Sequence, residues 1–231
     1  MPMLGNARMV IWFEVSPAEV IAEHDHWHAQ EHMFERLGIP GFLRGRRAIT
    51  QTGPRKYFVT YEVESFETLQ SEAYRKCLNN PTPWTQKMMP HVGRITRSLC
   101  RVAGSYGAGI GQAIATVRFA PAPGKEEALR TWFTRSALPA LLSKPGMVGA
   151  HFLEAIKQTG QPQTNEQKLR GSNDGEADWV LILEGYDPGA VKAVLQKELD
   201  SREFARNGAA PGELRDVFAL NFALGAEDVR R

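Results

Sequence analysis

Long apolar runs are missing from this 231-residue sequence. No stretch approaches the roughly 18 residues that a bilayer-spanning helix needs, which argues against a membrane protein. The opening residues, Met1 to Arg8, hold no basic stretch followed by an apolar core, so no secretory leader is read and a cytoplasmic location is expected. Cysteine is scarce: Cys77 and Cys100 are the two present, neither in a metal-ligand or redox spacing and together too few for a disulfide framework. Charge of one sign is not in excess either. Lys and Arg number 28 against 26 Asp and Glu, a net charge of +2, which leaves no electrostatic footprint for nucleic acid. Nucleotide signatures are absent as well: there is no G-x-G-x-x-G, P-loop or nucleophile elbow, and the glycines of Gly107 to Gly111 precede a strand rather than opening a helix. No cofactor is therefore expected, and the partner expected is a small hydrophobic or aromatic molecule. Self-association as a homodimer stays open.

What the sequence does contain is an internal repeat. Trp27 to Phe42 aligns without gaps on Trp132 to Met147, an offset of 105 residues. At the same offset Met9–Val15 falls on Ile114–Ala120, both runs rich in the β-branched and aromatic residues that suit strands. Each half then continues through a Pro-Gly corner into a second strand, Phe42 to Ile49 and Met147 to Glu154. Third strands follow at Tyr57–Val63 and Trp179–Gly185, second helices near Phe66 to Cys77 and Pro188 to Arg206, and last strands at Arg94 to Val102 and Leu214 to Phe222. The connection between strands two and three is 17 residues longer in the second half. This insertion, about residues 157–178, holds Gly160, Pro162, Gly171, Ser172, Asn173 and Gly175 and reads as an extended hairpin loop.

The order β-α-β-β-α-β in each half is the ferredoxin-like unit. Such a unit covers only one face of its sheet with helices, so the other face needs a cover, which a second sheet supplies. The expected fold is α+β: two tandem ferredoxin-like repeats whose antiparallel sheets face each other as an intrachain α+β barrel with the helices outside. The expected domains are 1–103 and 113–231, joined by a Gly-rich linker at 104–112.

The run Trp27-His28-x-x-Glu31-His32-x-x-Glu35-Arg36-Leu37-x-Ile39-Pro40-Gly41-Phe42, followed by Arg46-Arg47 in the next strand, resembles the dimeric α+β barrel superfamily, nearest its EthD-like branch. The likeness spans both halves as a tandem fusion. Its members include cofactor-free monooxygenases, polyketide cyclases, isomerases, haem enzymes and proteins without assigned activity, so the fold does not choose a reaction. The resemblance implies a helix histidine at the pocket mouth, matched here by His32. In the second half Ser136 and Ala137 replace Glu31 and His32, which places one working site in the first half.

Ser16-Pro17-Ala18-Glu19 reads as a capping box that opens a helix reaching Leu37. His24, His28 and His32 then fall along one side. His24 and His32 are about 12 Å apart along a helix axis, so at most two of the three can meet one ion. His28-x-x-Glu31-His32 also matches a zinc-protease signature, but the segment expected to carry its third ligand, Val102 to Ile110, has no Glu, Asp or His. No metal site is expected.

General acid/base chemistry fits better: a histidine needs only a shaped pocket and an orienting partner to move protons near neutral pH. The expected catalytic set is His32, with Glu31 orienting it and Arg46 stabilising an oxyanion. The expected substrate-binding set is Trp27, His28, Tyr61, Tyr74, Trp84 and His91. Strand alternation puts Arg44 and Arg46 on one face and Arg47 on the other; the competing use of these arginines is ion pairing with Glu31, Glu35 or Glu62. The leading function is a cofactor-independent enzyme acting on a small hydrophobic or aromatic metabolite, as a lyase, isomerase, cyclase or phenol monooxygenase. The alternatives are a non-catalytic ligand-binding or stress-associated barrel, and a haem- or metal-binding barrel using His28, His32 or His91.

Overall fold

A computed structural model describes residues 3–157, 160, 162–171 and 174–229. Met1 and Pro2 of the opening segment and Ser172 and Asn173 of the insertion lie outside them. The fold is α+β, and its eight strands hydrogen-bond in a closed antiparallel barrel order, β1-β3-β2-β8-β5-β7-β6-β4. These strands are β1 Ala7–Val15, β2 Phe42–Thr50, β3 Tyr57–Val63, β4 Val92–Gly107, β5 Ala113–Phe119, β6 Met147–Ala155, β7 Trp179–Gly185 and β8 Leu214–Gly225.

Two compact units interleave along the chain. One, called here the cavity unit, comprises residues 4–99, 157–176 and 221–231. The other comprises 1–3, 100–156 and 177–220. The long strands β4 and β8 each change unit part-way along. This differs from the expected division at 104–112, and the physical reason lies in the backbone. Gly104, Ser105, Tyr106 and Gly107 pair with Phe152, His151, Ala150 and Gly149 of β6, so the glycines expected to form a linker are strand, entered through a bulge after Val102.

In the cavity unit, β1 pairs with β3 so that Met9 faces Tyr61 and Ile11 faces Val59, and β2 pairs with β3 so that Gly45 faces Tyr61. Alternation sends these residues to the helical side. The helix packed there is α1 (Ile21–Trp27), a π turn (His28–His32) and α2 (Met33–Leu37). A Cβ on Gly45 would lie 2.9 Å from the Met33 side chain, so glycine is what lets α2 approach the sheet. Gly41 has φ +87° and Gly146, 105 positions on, has φ +90°; each turns its helix back into a strand with a backbone that only glycine adopts freely. The expected capping box does not form. The helix opens one residue later, with Val20 N–H on the Pro17 carbonyl, and Ser16 N–H is taken by the His91 carbonyl.

The helices α3 (Glu72–Asn79) and α4 (Pro83–Met88) complete this unit, together with α7 (Asn165–Arg170), which the insertion supplies. An extended hairpin was expected there. Instead Thr164 and Gln167 form a reciprocal capping box, which satisfies two otherwise orphaned N–H groups and starts a helix. Gly175 continues the insertion as a bridge to β4, donating to the Ile95 carbonyl at 2.8 Å and accepting from Arg97 N–H at 2.8 Å.

The second unit carries α5 (Glu126–Trp132), a π turn (Phe133–Ala137), α6 (Leu138–Leu141), α8 (Pro188–Lys197) and α9 (Ser201–Arg206), while α10 (Ala226–Val229) belongs to the cavity unit. On its helical side Phe119, Phe133, Phe152, Trp179 and Phe204 pack into one apolar core. Its π turn and its strand β6 sit 105 residues after their counterparts in the first half.

Candidate active site

Between the sheet and the helices of the cavity unit lies a cavity of about 810 Å³, lined entirely by residues of that unit. Met9, Ile11, Phe13, Val59, Ile95 and Leu99 form its apolar wall. The helix supplies the polar one: His24, Trp27, His28 and His32, all buried. The π turn explains how these four share a face. Its wider i to i+5 winding stacks residues five apart, and the Trp27 and His32 rings accordingly lie 4.5 Å apart, with His28 and His32 at 5.5 Å and His24 and His28 at 5.9 Å. An uninterrupted 3.6-residue helix would set Trp27 and His32 on different sides.

Burial governs the titration of these groups. Desolvation lowers all three histidine pKa values, that of His24 moderately and those of His28 and His32 well below the ordinary 6.5, with Arg47 adding to the effect at His28 and Arg36 at His32. They are neutral imidazoles at pH 7. Nδ1 of His28, Nδ1 of His32, Nε2 of His24 and the Tyr61 hydroxyl have no hydrogen-bond partner among the described residues. In proteins generally the great majority of buried polar atoms are satisfied, so these atoms, with Arg170 Nε on the same cavity, mark a place for a polar ligand atom. Burial also raises the Tyr61 phenol above its ordinary range, keeping it a neutral donor.

His24 alone among the three has a carboxylate beside it. Its Nδ1 lies 3.4 Å from Asp25 Oδ1. Burial pushes Asp25 up, but hydrogen bonds from His24 and Tyr57 and the charges of Arg47 and Arg55 outweigh that and hold it at about 2. The Tyr57 hydroxyl donates to Asp25 at 2.8 Å and Arg55 at 2.6 Å.

Of the residues expected at the site, Trp27, His28, His32, Tyr61 and Tyr74 line the cavity. Glu31, Arg46, Trp84 and His91 do not. Glu31 is turned away and accepts from Thr82 Oγ1 at 2.6 Å, Thr82 being the N-cap of α4; it fastens α4 to the π turn and does not orient His32. Arg46 points to the opposite face of the sheet, where it meets Glu62 at 3.0 Å beside Arg44 at 2.6 Å and Arg8 at 3.6 Å. Burial raises Glu62, but the three arginines prevail and keep its pKa low. The ion-pairing use of Arg44 and Arg46 is thus the one realised, and Arg47 turns the other way, toward Asp25. Trp84 donates to Glu23 at 3.3 Å and stacks edge-on against His26. His91 accepts from Ser16 through its carbonyl and is not among the residues that line the cavity. Among the described residues no group of three His, Cys, Asp or Glu side chains is arranged to hold a metal ion.

His24, expected only as a member of the histidine row, lines the cavity with Asp25 as its partner, and charged lining residues that the sequence did not single out as site residues include Arg36, Arg97, Glu166 and Arg170. The insertion brings two of them. Glu166 of α7 forms a buried ion pair with Arg36 of α2, and Arg36 Nη1 also donates to Cys77 Sγ at 2.6 Å. Arg170 pairs with Asp174 at 2.7 Å. Leu169 packs beside Trp27, Met88 and Met89.

The sequence matches no protein family, and no curated protein matches it either. The fold does have solved counterparts. An anthrone oxidase-like protein superposes with a TM-score of 0.65 at 11% identity, over 96% of this chain and 93% of that one. A "putative monooxygenase" from Fusobacterium nucleatum gives 0.61 at 11% identity, over 96% of each chain. Another, from Lactobacillus acidophilus, gives 0.60 at 8%, over 96% and 97%. At these identities the likeness is one of fold, the ferredoxin-like α+β barrel.

Proposed function

We propose that the chain is a cofactor-independent enzyme of the monooxygenase type that oxidises an electron-rich aromatic substrate inside the cavity, with His32 removing the proton that starts the reaction. The observation that carries this reading is the row of buried, neutral histidines with unpartnered ring nitrogens, which faces an apolar wall of Met9, Ile11, Phe13, Val59, Ile95 and Leu99 across the cavity. A neutral imidazole is a proton acceptor, and the Tyr61 hydroxyl is placed to donate to the oxygen on which negative charge develops. The solved counterparts named as monooxygenases and as anthrone oxidase-like lend support. The step balances without a cofactor: anthrone loses a methylene proton to histidine, the carbanion reduces one dioxygen, and anthraquinone and one water result. We also read the chain as a tandem fusion of an EthD-like subunit, on the strength of the π turns, Pro-Gly corners and second strands that recur 105 residues apart.

The test is oxygen uptake with anthrone and 1-naphthol. General-base loss costs about a hundredfold or more in rate, so His32→Ala is expected to fall by that much while remaining folded. Unchanged turnover in His32→Ala overturns the role given to His32. His24 is the second reading of the base, favoured by the Asp25 carboxylate beside it. In that case His24→Asn, and not His32→Ala, abolishes uptake. Binding of aromatics without any oxygen uptake favours the non-catalytic ligand-binding alternative.

A further inference from the structure

In one corner of the cavity two donor groups, Arg97 Nε and the Tyr74 hydroxyl, share one weak acceptor. Arg97 of β4 donates through Nη2 to the Tyr74 hydroxyl at 2.9 Å. Its Nε points at Met9 Sδ at 3.3 Å, and the Tyr74 hydroxyl points at the same sulfur at 3.2 Å. A thioether is a weak acceptor, so two strong donors converge on a group that satisfies neither. The other cavity cations are differently placed. Arg36 and Arg170 are paired with Glu166 and Asp174, and Arg75, exposed, donates to the Gln70 carbonyl. Among the described residues, no carboxylate lies within ion-pair distance of Arg97.

We propose that Arg97 and Tyr74 form a clasp for the carboxylate of an aromatic acid, which displaces the Met9 sulfur as acceptor. The guanidinium fork matches a carboxylate in two parallel hydrogen bonds, a geometry that a neutral carbonyl or a single phenolate oxygen does not reproduce. The cavity's lining carries four arginines against three carboxylates, Glu166, Asp174 and Glu176, so with the histidines neutral it has one positive charge left for an anionic ligand. This deepens the reading of the cavity as the site: it gives the substrate an acidic group at the β4 end, whereas the proton chemistry belongs to the helical wall.

The probes are 2-naphthoate, 2-naphthamide and 2-naphthol, with dissociation constants measured by calorimetry at pH 7.5 on the intact chain. The naphthoate is expected to bind about tenfold more tightly than the amide, as a charge-assisted pair implies, and more tightly than the naphthol. Arg97→Gln brings the naphthoate down to the affinity of the amide measured in the same variant; Tyr74→Phe, which deletes only the hydroxyl, weakens the naphthoate several-fold and keeps the fold if Arg97→Gln does not. Equal affinity for acid and amide, no binding of any of the three, or a preference that survives both substitutions overturns the clasp. Tighter binding of the naphthol reassigns the corner to phenolates. The preference is also measured in His32→Ala. Retained there while the wild-type chain shows no oxygen uptake, or while His32→Ala turns over unchanged, it leaves the clasp standing and counts against the proposed reaction alone.

Discussion

At the scale of single residues, the cavity unit holds its histidines at a thermodynamic cost that pH exposes. The folded pKa values of His28 and His32 lie well below 6.5, while the unfolded chain protonates these rings at about their ordinary value. Between the two values the unfolded state binds more protons, so stability rises with pH across that window. It is fully present above about pH 6.5 and is lost as pH falls toward the folded values. Urea unfolding from pH 7.5 to 5 is therefore expected to show a falling free energy, and His28→Phe, the residue found at Phe133 of the second half, is expected to flatten that fall. An identical pH slope in the variant contradicts the assignment. Residue identities alone singled out Trp27, His28, His32, Tyr61 and Tyr74, which line the cavity, because aromatic and imidazole side chains are legible in one dimension. Glu31 and Arg46 were misplaced for a common reason: each found a nearer partner, Thr82 and Glu62, that lies 51 and 16 positions away in sequence.

At the scale of elements, α7 is the part the second half lends to the first. Its Glu166 neutralises a buried Arg36, and removing one partner of a buried pair costs about 3 kcal/mol because the other charge is stranded. Glu166→Gln is thus expected to destabilise the chain by roughly that amount in urea titrations and to speed amide exchange over residues 165–170; loss of less than half of it shows that Arg36 is served by other groups. The strands were legible to within three residues except β4, which runs five residues past the expected Val102 into the glycines, since β-branched and aromatic runs separated by Pro-Gly corners leave little choice. The helix α7 was hidden by its neighbours. Glycines and a proline on either side suggested a loop, although Thr164-x-x-Gln167 was the signature of a helix start. The π turn was illegible for a different reason: no residue type announces it, and it emerges only when Trp27 and His32 find each other in the folded chain.

At the scale of the whole molecule, the repeat is visible in sequence but the units do not follow it. Residues 1–107 contain the histidine row yet lack α7 and the stretch 221–225 that the cavity unit also uses. Expressed alone, residues 1–107 are expected to show no cooperative thermal transition and no binding of the naphthalene probes, measured by circular dichroism and calorimetry. A sharp transition with intact binding means that the interleaving is dispensable. The same interleaving imposes an order in time. A chain leaving the ribosome exposes the strands that carry Met9 and Tyr61 first, at about 5–20 residues per second, but their unit waits for Glu166 and then for residues 221–225 to emerge. The half synthesised first is the half finished last, so a premature stop at residue 220 strips the cavity unit of its closing strand segment while leaving the second unit's own residues whole.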